Sequence, residues 1–404
     1  MTDTNTHSKE LYERAAAICG EEFVSLRDEQ LAAAPADTSQ AAQLLRLCDD
    51  SRVPVAIEGL GSKSRWLDDG PTALRLSTRR TNAVLEHTWQ DMTCTVQAGC
   101  IWKDMQDALA QHGQFVALDP LWPEHSTVGG VVGANDSGAL RLRYGGLRDL
   151  LIGMTVALAD GTVARSGGKV VKNVAGYDLP KLLCGSFGTL ALITEVTFRL
   201  HSLAPHTVSL TATSPDASLL GKLLLRLLDS HFSTQSLQMR TDGAGYSLDV
   251  RLAALPDVLQ VQADGLIEVA GSMGISAQIN AAEVWSARET LFQEAESALV
   301  FKATMLPAEI GGAMQTIMAM NGSAVAQGNG ILFGRVHSGE RDALANFRAT
   351  LEAAGGSLVL LQRPPDVVFD RWGRTPSALP LMRAVKKQFD PNGILNSGRF
   401  FGGL

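Results

Sequence analysis

The alternation of apolar and polar positions divides the chain into two stretches with different rhythms. In the first, short apolar runs between turns predict strands over Val53–Ile57, Leu74–Leu76, Val84–Glu86, Thr93–Gln97, Phe115–Leu118, Leu151–Ala159 and Ala191–Leu200. Helical spacing appears at Ala41, Leu44, Leu45 and Leu47, and again at Met105, Ala108 and Leu109 ahead of Gly113. Residues 1–7 read as a disordered start and Ser8 to about Ala34 as a helix with an irregular apolar face. The rhythm breaks at HSLAPH (His201–His206), where a strand ends and proline follows. Beyond it, strands over Thr207–Thr213, Ser236–Met239, Ser247–Leu252, Leu299–Met305, Ile331–Val336 and Ser357–Leu361 interleave with single helices. Those helices are expected over Ala217–Leu228, Pro256–Ala270, Leu291–Ser297, Gly311–Ala319 and Glu340–Ala354. Such interleaving predicts an α+β domain with helices on one face of an antiparallel sheet.

Glycine is concentrated in the first stretch. About a third of the glycines lie between Ser126 and Leu200, set between short apolar runs. Glycine tolerates positive φ and lets another backbone or a ligand come close, at an entropic cost. The block reads either as a chain wrapped around something large or as a loop-rich β region. A second glycine loop, Glu58-Gly-Leu-Gly-Ser-Lys-Ser-Arg65, follows the Val53–Ile57 strand, an arrangement in which backbone N–H groups converge on an anion.

Three segments carry a family resemblance: Thr127–Gly161, Gly167–Leu200 and Phe389–Phe400 (FDPNGILNSGRF). They are similar to the FAD-binding domain of the vanillyl-alcohol oxidase and p-cresol methylhydroxylase superfamily, which includes D-2-hydroxy-acid dehydrogenases. Together they look most like the FAD-binding subunits of bacterial glycolate oxidase (glycolate dehydrogenase). The resemblance implies an α+β fold: a p-cresol methylhydroxylase-type FAD-binding domain of two subdomains, with an α+β cap domain on an antiparallel sheet. Expected boundaries are an N-terminal extension over 1–35, the FAD-binding domain over 36–203, the cap over 204–365, and a tail over 366–404 returning to the FAD-binding domain.

Carried onto this chain, the resemblance implies that Gly59, Gly61, Ser62 and Lys63 meet the FAD pyrophosphate. Thr127, Gly129, Gly130, Gly133, Ala134, Asn135, Ser137 and Gly138 would cross the pyrophosphate and flavin ring. Tyr144, Gly176, Asp178 and Ile193 would lie toward the remaining cofactor, and Asn396 near the flavin ring. Asp178 reads equally as the cap of a helix starting at Leu179, with Pro180 in its first turn. Arg148 reads as a cofactor contact or as a structural partner. No histidine lies between Val53 and Thr81, where one branch of the superfamily attaches its flavin covalently, so the FAD is expected to be non-covalent. Relatives that carry glutamate at the position of Phe187 lend no role to this chain.

Catalytic relatives carry a His-x-Gly-Asp-Gly-Asn-x-His metal element; here Gly328–His337 keeps only His337. A lone histidine on a strand is more often structural than a ligand. Oxidation of a hydroxy acid needs a base for the hydroxyl proton and cations for the carboxylate. His125, Arg335, His337, Arg363 and Arg371 are scattered candidates without a constellation, so no catalytic residue and no metal site are assigned. The resemblance therefore implies a complex in which a second FAD-binding subunit acts on glycolate and an iron–sulfur subunit takes the electrons. This chain's flavin would relay them. A stand-alone FAD-dependent 2-hydroxy-acid dehydrogenase and a cofactor-free structural subunit are the alternatives.

Composition changes this picture little. The net charge of −7, spread without long runs, argues against a nucleic-acid surface. No apolar run reaches the roughly 18 residues of a membrane span. The first residues lack a secretory pattern, so a cytoplasmic location is expected, with any contact at the inner face of the cell membrane made through partners. The five cysteines match no zinc, redox or iron–sulfur spacing.

Overall fold

A computed structural model describes residues 2–27, 30–68, 70–168, 178–280, 282–293 and 297–404. The chain forms two compact units: Met1–Asp136 with Gly146–Leu203 and Pro376–Leu404, and Ser137–Gly145 with Ala204–Thr375.

The first unit begins with a helix over Thr2–Cys19, followed by strands β1 (Val24–Arg27) and β2 (Gln30–Ala33). The single helix expected to run to Ala34 therefore ends early. Gly20, at φ 92, breaks it, and the alternating burial of Leu31 and Ala33 belongs to a strand. Nor is the start disordered, because helix begins at Thr2. The second helix, Thr38–Asp50, is capped by the Asp37 carboxylate, which accepts from Gln40 N at 2.8 Å. After β3 (Val55–Glu58) and β4 (Leu74–Ser77), a four-stranded sheet is complete in the order β1-β2-β4-β3. Leu11, Ala15, Val24, Leu31 and Ala33 share one core with Leu44, Leu45, Leu74 and Leu76. The described residues before Pro35 thus pack into this sheet layer rather than forming an extension.

Strands β5 (Val84–Thr88), β6 (Thr93–Gln97), β7 (Gln114–Phe115), β8 (Leu151–Ala157), β9 (Val163–Gly167), β10 (Leu192–Arg199) and β11 (His201–Ser202) follow. Five of them form an antiparallel sheet, β5-β6-β10-β8-β9, while β7 pairs with β11. Trp102, on the helix Trp102–Ala110, packs edge-on to Phe198 of β10 at 5.8 Å in this second core. The C-terminal segment returns after the helix Leu379–Phe389, where Leu395 bridges Val55 of β3.

The second unit is an eight-stranded antiparallel sheet built from β12 (Thr207–Ser214), β13 (Thr234–Thr241), β14 (Tyr246–Ala253), β15 (Ser276–Asn280), β16 (Ala298–Thr304), β17 (Ser323–Gln327), β18 (Ile331–His337) and β19 (Ser357–Gln362). Its order is β15-β12-β14-β13-β17-β18-β16-β19. Alternate strand residues such as Leu237, Met239, Leu248 and Val250 form one core with the helices Ala217–Leu228, Pro256–Ser272, Ile310–Ala319 and Arg341–Ala353. Leu220, Leu223, Leu224 and Leu227 supply the buried stripe expected of an amphipathic helix.

Strands β15 (SAQIN) and β17 (SAVAQ) escaped the periodicity because alanine, serine and glutamine carry little strand preference. Helix forms over Ala287–Thr290; of the expected 291–297 helix, residues 291–293 form a turn and 294–296 lie outside the described residues. Residues 137–145 and 366–375 belong to this unit, so the expected boundaries shift at both places.

Candidate functional site: a glycine-walled cleft

The site is built within the first unit by four segments. The first leaves β3 at Glu58 and turns through Gly59–Ser64, with Gly61 at φ 76. A β-carbon on Gly59 would overlap the Thr127 side chain, so only glycine lets this loop lie against the second segment. Ser62 Oγ is 3.0 Å from Ser126 Oγ, and Lys63 Nζ donates to the same Ser126 hydroxyl at 2.9 Å. The Lys63 ammonium also stands 3.3 Å from the Asp136 carboxylate, with both side chains buried. Asp136 accepts from Leu121 N at 2.8 Å, which fixes the approach to the second segment.

That second segment is a short helix, Val128–Ala134, which the apolar spacing alone did not reveal. Thr127 caps it by accepting from Gly130 N at 3.2 Å. Gly129 lies on the Ala98 backbone, donating to its carbonyl at 2.7 Å. A β-carbon added at Gly133 would meet nothing within 4 Å, and one at Gly130 only the Thr127 hydroxyl at 3.2 Å. The helix therefore turns a bare backbone face toward open space.

The third segment, Gly185–Leu190, is tied to this helix: Gly185 N donates to Val132 O at 3.0 Å and Phe187 N to Gly133 O at 2.9 Å. The fourth is the C-terminal return. Asn396 accepts from Ile57 N at 2.8 Å through Oδ1 and donates through Nδ2 to Phe187 O at 2.6 Å. Arg399 Nη2 reaches the carbonyls of Lys63, Ser64 and Trp66 at 3.3, 3.2 and 3.1 Å. Lys386, also buried, donates to Thr189 O at 2.7 Å, to Leu395 O at 3.0 Å and to Asp390 at 2.6 Å. Burial holds its pKa below the ordinary lysine value, with Asp390 opposing that shift.

Between these segments lies a cleft enclosing about 940 Å³ of empty space, its open mouth included. Of the residues expected to meet the cofactor, Gly59, Gly61, Ser62, Lys63, Thr127, Gly129, Gly130, Gly133, Ala134, Ile193 and Asn396 line it. Two of these have other work. The Lys63 ammonium is held by Ser126 and Asp136, and both polar ends of the Asn396 side chain are taken by protein, so each positions loops instead of offering a spare polar group.

Other expected contacts lie elsewhere. Asn135 is the left-handed C-cap of the 128–134 helix and does not line the cleft. Ser137, Gly138 and Tyr144 belong to the second unit, where Ser137 O accepts from Arg288 at 2.7 Å and Gln327 at 2.8 Å, and Tyr144 Oη from Gln235 at 3.2 Å. Asp178 caps the helix Leu179–Leu183, and Arg148 donates to Cys184 O at 3.2 Å. Gly176 lies outside the described residues. Sequence reasoning passed over Thr78, Ala98, Phe187 and Arg399, all of which line the cleft. For Arg399 a signal was present: a base three residues after Asn396 in the returning tail.

Four of the five scattered candidates for substrate chemistry bond backbone instead. Arg335 donates to Gln293 O at 2.7 Å, Arg371 to Leu360 O and Leu361 O at 3.1 and 3.0 Å, and Arg363 to Val367 O. His337 Nδ1 accepts from Gly339 N at 3.1 Å, and His125 is exposed in a turn closed on Trp122 O. Among the described residues no group of three or more His, Cys, Asp or Glu side chains could hold a metal ion. No helix among them is long and apolar enough to cross a membrane.

A cleft walled by glycine backbone, with a strand-to-loop turn on it, suits a dinucleotide carrying a diphosphate. The comparisons agree. Residues 30–167 match the family model described as FAD binding domain, and residues 371–400 that of the C-terminal domain of FAD linked oxidases. An FAD-linked oxidoreductase of Mycobacterium tuberculosis is 30% identical over 424 aligned residues, covering 92% of this chain and 90% of that one. The chain belongs to the FAD-linked oxidoreductases, and FAD is its cofactor.

Within that family, glycolate oxidase subunit GlcD of Bacillus subtilis is 40% identical over 171 residues, or 41% of this chain. A D-lactate dehydrogenase of Archaeoglobus fulgidus is 35% identical over 170 residues, or 41% of this chain. These two alignments span 36% and 37% of the relatives' own lengths. Among solved structures, p-cresol methylhydroxylase with substrate bound superposes with a TM-score of 0.74 over 97% of this chain and 96% of that one, at 13% identity. That likeness establishes the α+β fold.

Proposed function

We propose that this FAD-dependent oxidoreductase is the FAD-binding subunit of a multi-subunit glycolate dehydrogenase, relaying electrons from a catalytic flavin subunit toward an iron–sulfur subunit. The observation that carries this reading is the contrast between its two kinds of residue. The cleft residues are ordered around an open glycine-walled space, whereas Arg335, His337, Arg363 and Arg371, which could handle a hydroxy acid, are engaged with backbone groups and do not line it. When bound, FAD supplies hydride and single-electron chemistry. The chain's part is to position and desolvate it. The backbone N–H groups of the 59–64 loop would hold the diphosphate, the bare glycine face of the 128–134 helix would let it approach, and Ile193 and Leu192 would form the apolar wall beside it.

No histidine or cysteine lines the cleft among the described residues, which supports non-covalent attachment. The similarity to GlcD supports glycolate as the substrate of the complex. The D-lactate dehydrogenase relative favours a second reading, a stand-alone 2-hydroxy-acid dehydrogenase.

Anaerobic mixing separates the two readings. The purified, FAD-loaded chain is expected to keep its oxidised flavin spectrum with glycolate or D-lactate, and to be reduced once co-expressed partner subunits are present. Rapid bleaching by either acid in the isolated chain would overturn the relay reading.

A further inference from the structure

Phe187 combines two properties that do not ordinarily meet. Its backbone is left-handed, at φ 53, in a turn where Gly185 and Gly188 also have positive φ. Glycine adopts that conformation without strain; a bulky aromatic residue there is an outlier. The conformation is imposed from both sides, by the bond from Phe187 N to Gly133 O and by the Asn396 amide on Phe187 O. Strain held in this way by surrounding structure is characteristic of sites where the side chain has a task.

Phe187 lines the cleft. Among the described residues lining the cleft, Phe187 is the aromatic one, set among glycine, alanine and aliphatic groups. Phe400 of the returning tail packs against it, with ring centroids 6.2 Å apart and a 43° tilt. A planar hydrocarbon face presented to a cleft of this kind recognises a planar conjugated ring system.

We infer that Phe187 is a cofactor-contact residue, its phenyl ring forming the aromatic wall on which one fused ring of the bound FAD stacks. This rests on the assignment of the cleft as the FAD site. A glycine at position 187 would satisfy the backbone better; the phenyl ring is retained in spite of the strain because it contributes to cofactor affinity.

The test compares wild-type chain with Phe187→Leu, Phe187→Trp and Phe187→Gly by FAD titration of apoprotein, with ADP as a competing probe. Phe187→Leu is expected to weaken FAD about tenfold, the scale of one aromatic–base stack, while Phe187→Trp stays close to wild type. Apo Phe187→Gly is expected to melt no lower than apo wild type, because positive-φ strain is removed, yet to bind FAD at least as poorly as Phe187→Leu. Parallel loss of ADP affinity places the stack on adenine. Unchanged ADP affinity with a shifted visible spectrum places it on the flavin. Wild-type FAD affinity in both the Leu and Gly variants would overturn the inference. Failure of the wild-type chain itself to take up FAD would instead overturn the assignment of the cleft.

Discussion

The ammonium of Lys63 stands 3.3 Å from the carboxylate of Asp136, two side chains buried between the loops that wall the cleft. Each belongs to a different glycine-rich segment, and Ser126 is held by the same lysine. A buried ion pair of this kind contributes little net stability over an apolar pair, but removing one partner leaves an uncompensated charge. Its effect is to fix the distance between the two loops.

Lys63→Met is therefore expected to destabilise the first unit by about 3–5 kcal/mol and to abolish FAD retention. Lys63→Met combined with Asp136→Leu should recover much of the stability without recovering tight FAD binding. Urea melts and the flavin-to-protein ratio of purified variants check this. A double variant that retains FAD normally would show that the pair does not set the loop spacing.

Gly133 faces open space on the helix Val128–Ala134. Gly133→Ala should stabilise apoprotein by about 0.5–1 kcal/mol, since alanine is the better helix former. Gly133→Leu should leave the apo fold intact and lower FAD affinity strongly by occupying the cleft. Thermal melts of apoprotein together with FAD titration give both readouts, and unchanged affinity in the leucine variant would contradict the placement.

Arg399 binds three consecutive-turn carbonyls of the first loop from the far end of the chain. Arg399→Met should raise the FAD dissociation rate and expose the 63–66 amides to hydrogen exchange, while the second unit's exchange stays unchanged. Guanidinium ion added to the variant should partly restore FAD binding where sodium chloride does not.

The buried thiols make stability sensitive to alkali. Burial, with Asp49 nearby, pushes Cys48 up to about 12, and burial with Cys100 and Glu86 pushes Cys94 to about 12, against an ordinary value of 9.0. Because the folded pKa lies above the unfolded one, their contribution is complete below pH 9 and is lost as pH rises toward 12. The loss is up to about 1.4 kcal/mol per pH unit for each thiol. Melting temperature should hold to about pH 8.5 and then fall, and Cys48→Ala should make the fall shallower. Native protein should also react with thiol reagents at neutral pH only on unfolding, as all five cysteines are buried.

Much of the architecture was legible along the chain. The leucine stripe of Ala217–Leu228 and the strand runs at Val55–Glu58 and Thr93–Gln97 are periodic signals that burial enforces locally. Gly59 and Gly133 mark positions where a side chain would collide with Thr127 or enter the cleft. The glycine spacing alone left a turn-rich β region open, and it was the resemblance of three segments to a known superfamily that indicated an FAD site on an α+β fold. The same local logic failed at β15 and β17, whose alanines and glutamines become strands only because neighbouring strands offer them a ladder.

What the chain by itself determined is the set of bare backbone stretches that a dinucleotide can approach, because glycine and turn residues declare themselves by type. Tertiary structure alone decided which polar side chains are free to meet it. Lys63, Asn396 and Tyr144 carry the right groups, yet the first two are engaged by Asp136, Ser126, Ile57 and Phe187, and Tyr144 sits in the second unit. Arg399 grips carbonyl oxygens that every residue possesses. A main-chain acceptor leaves no mark in an amino-acid sequence, so those assignments appear only once the backbone is folded.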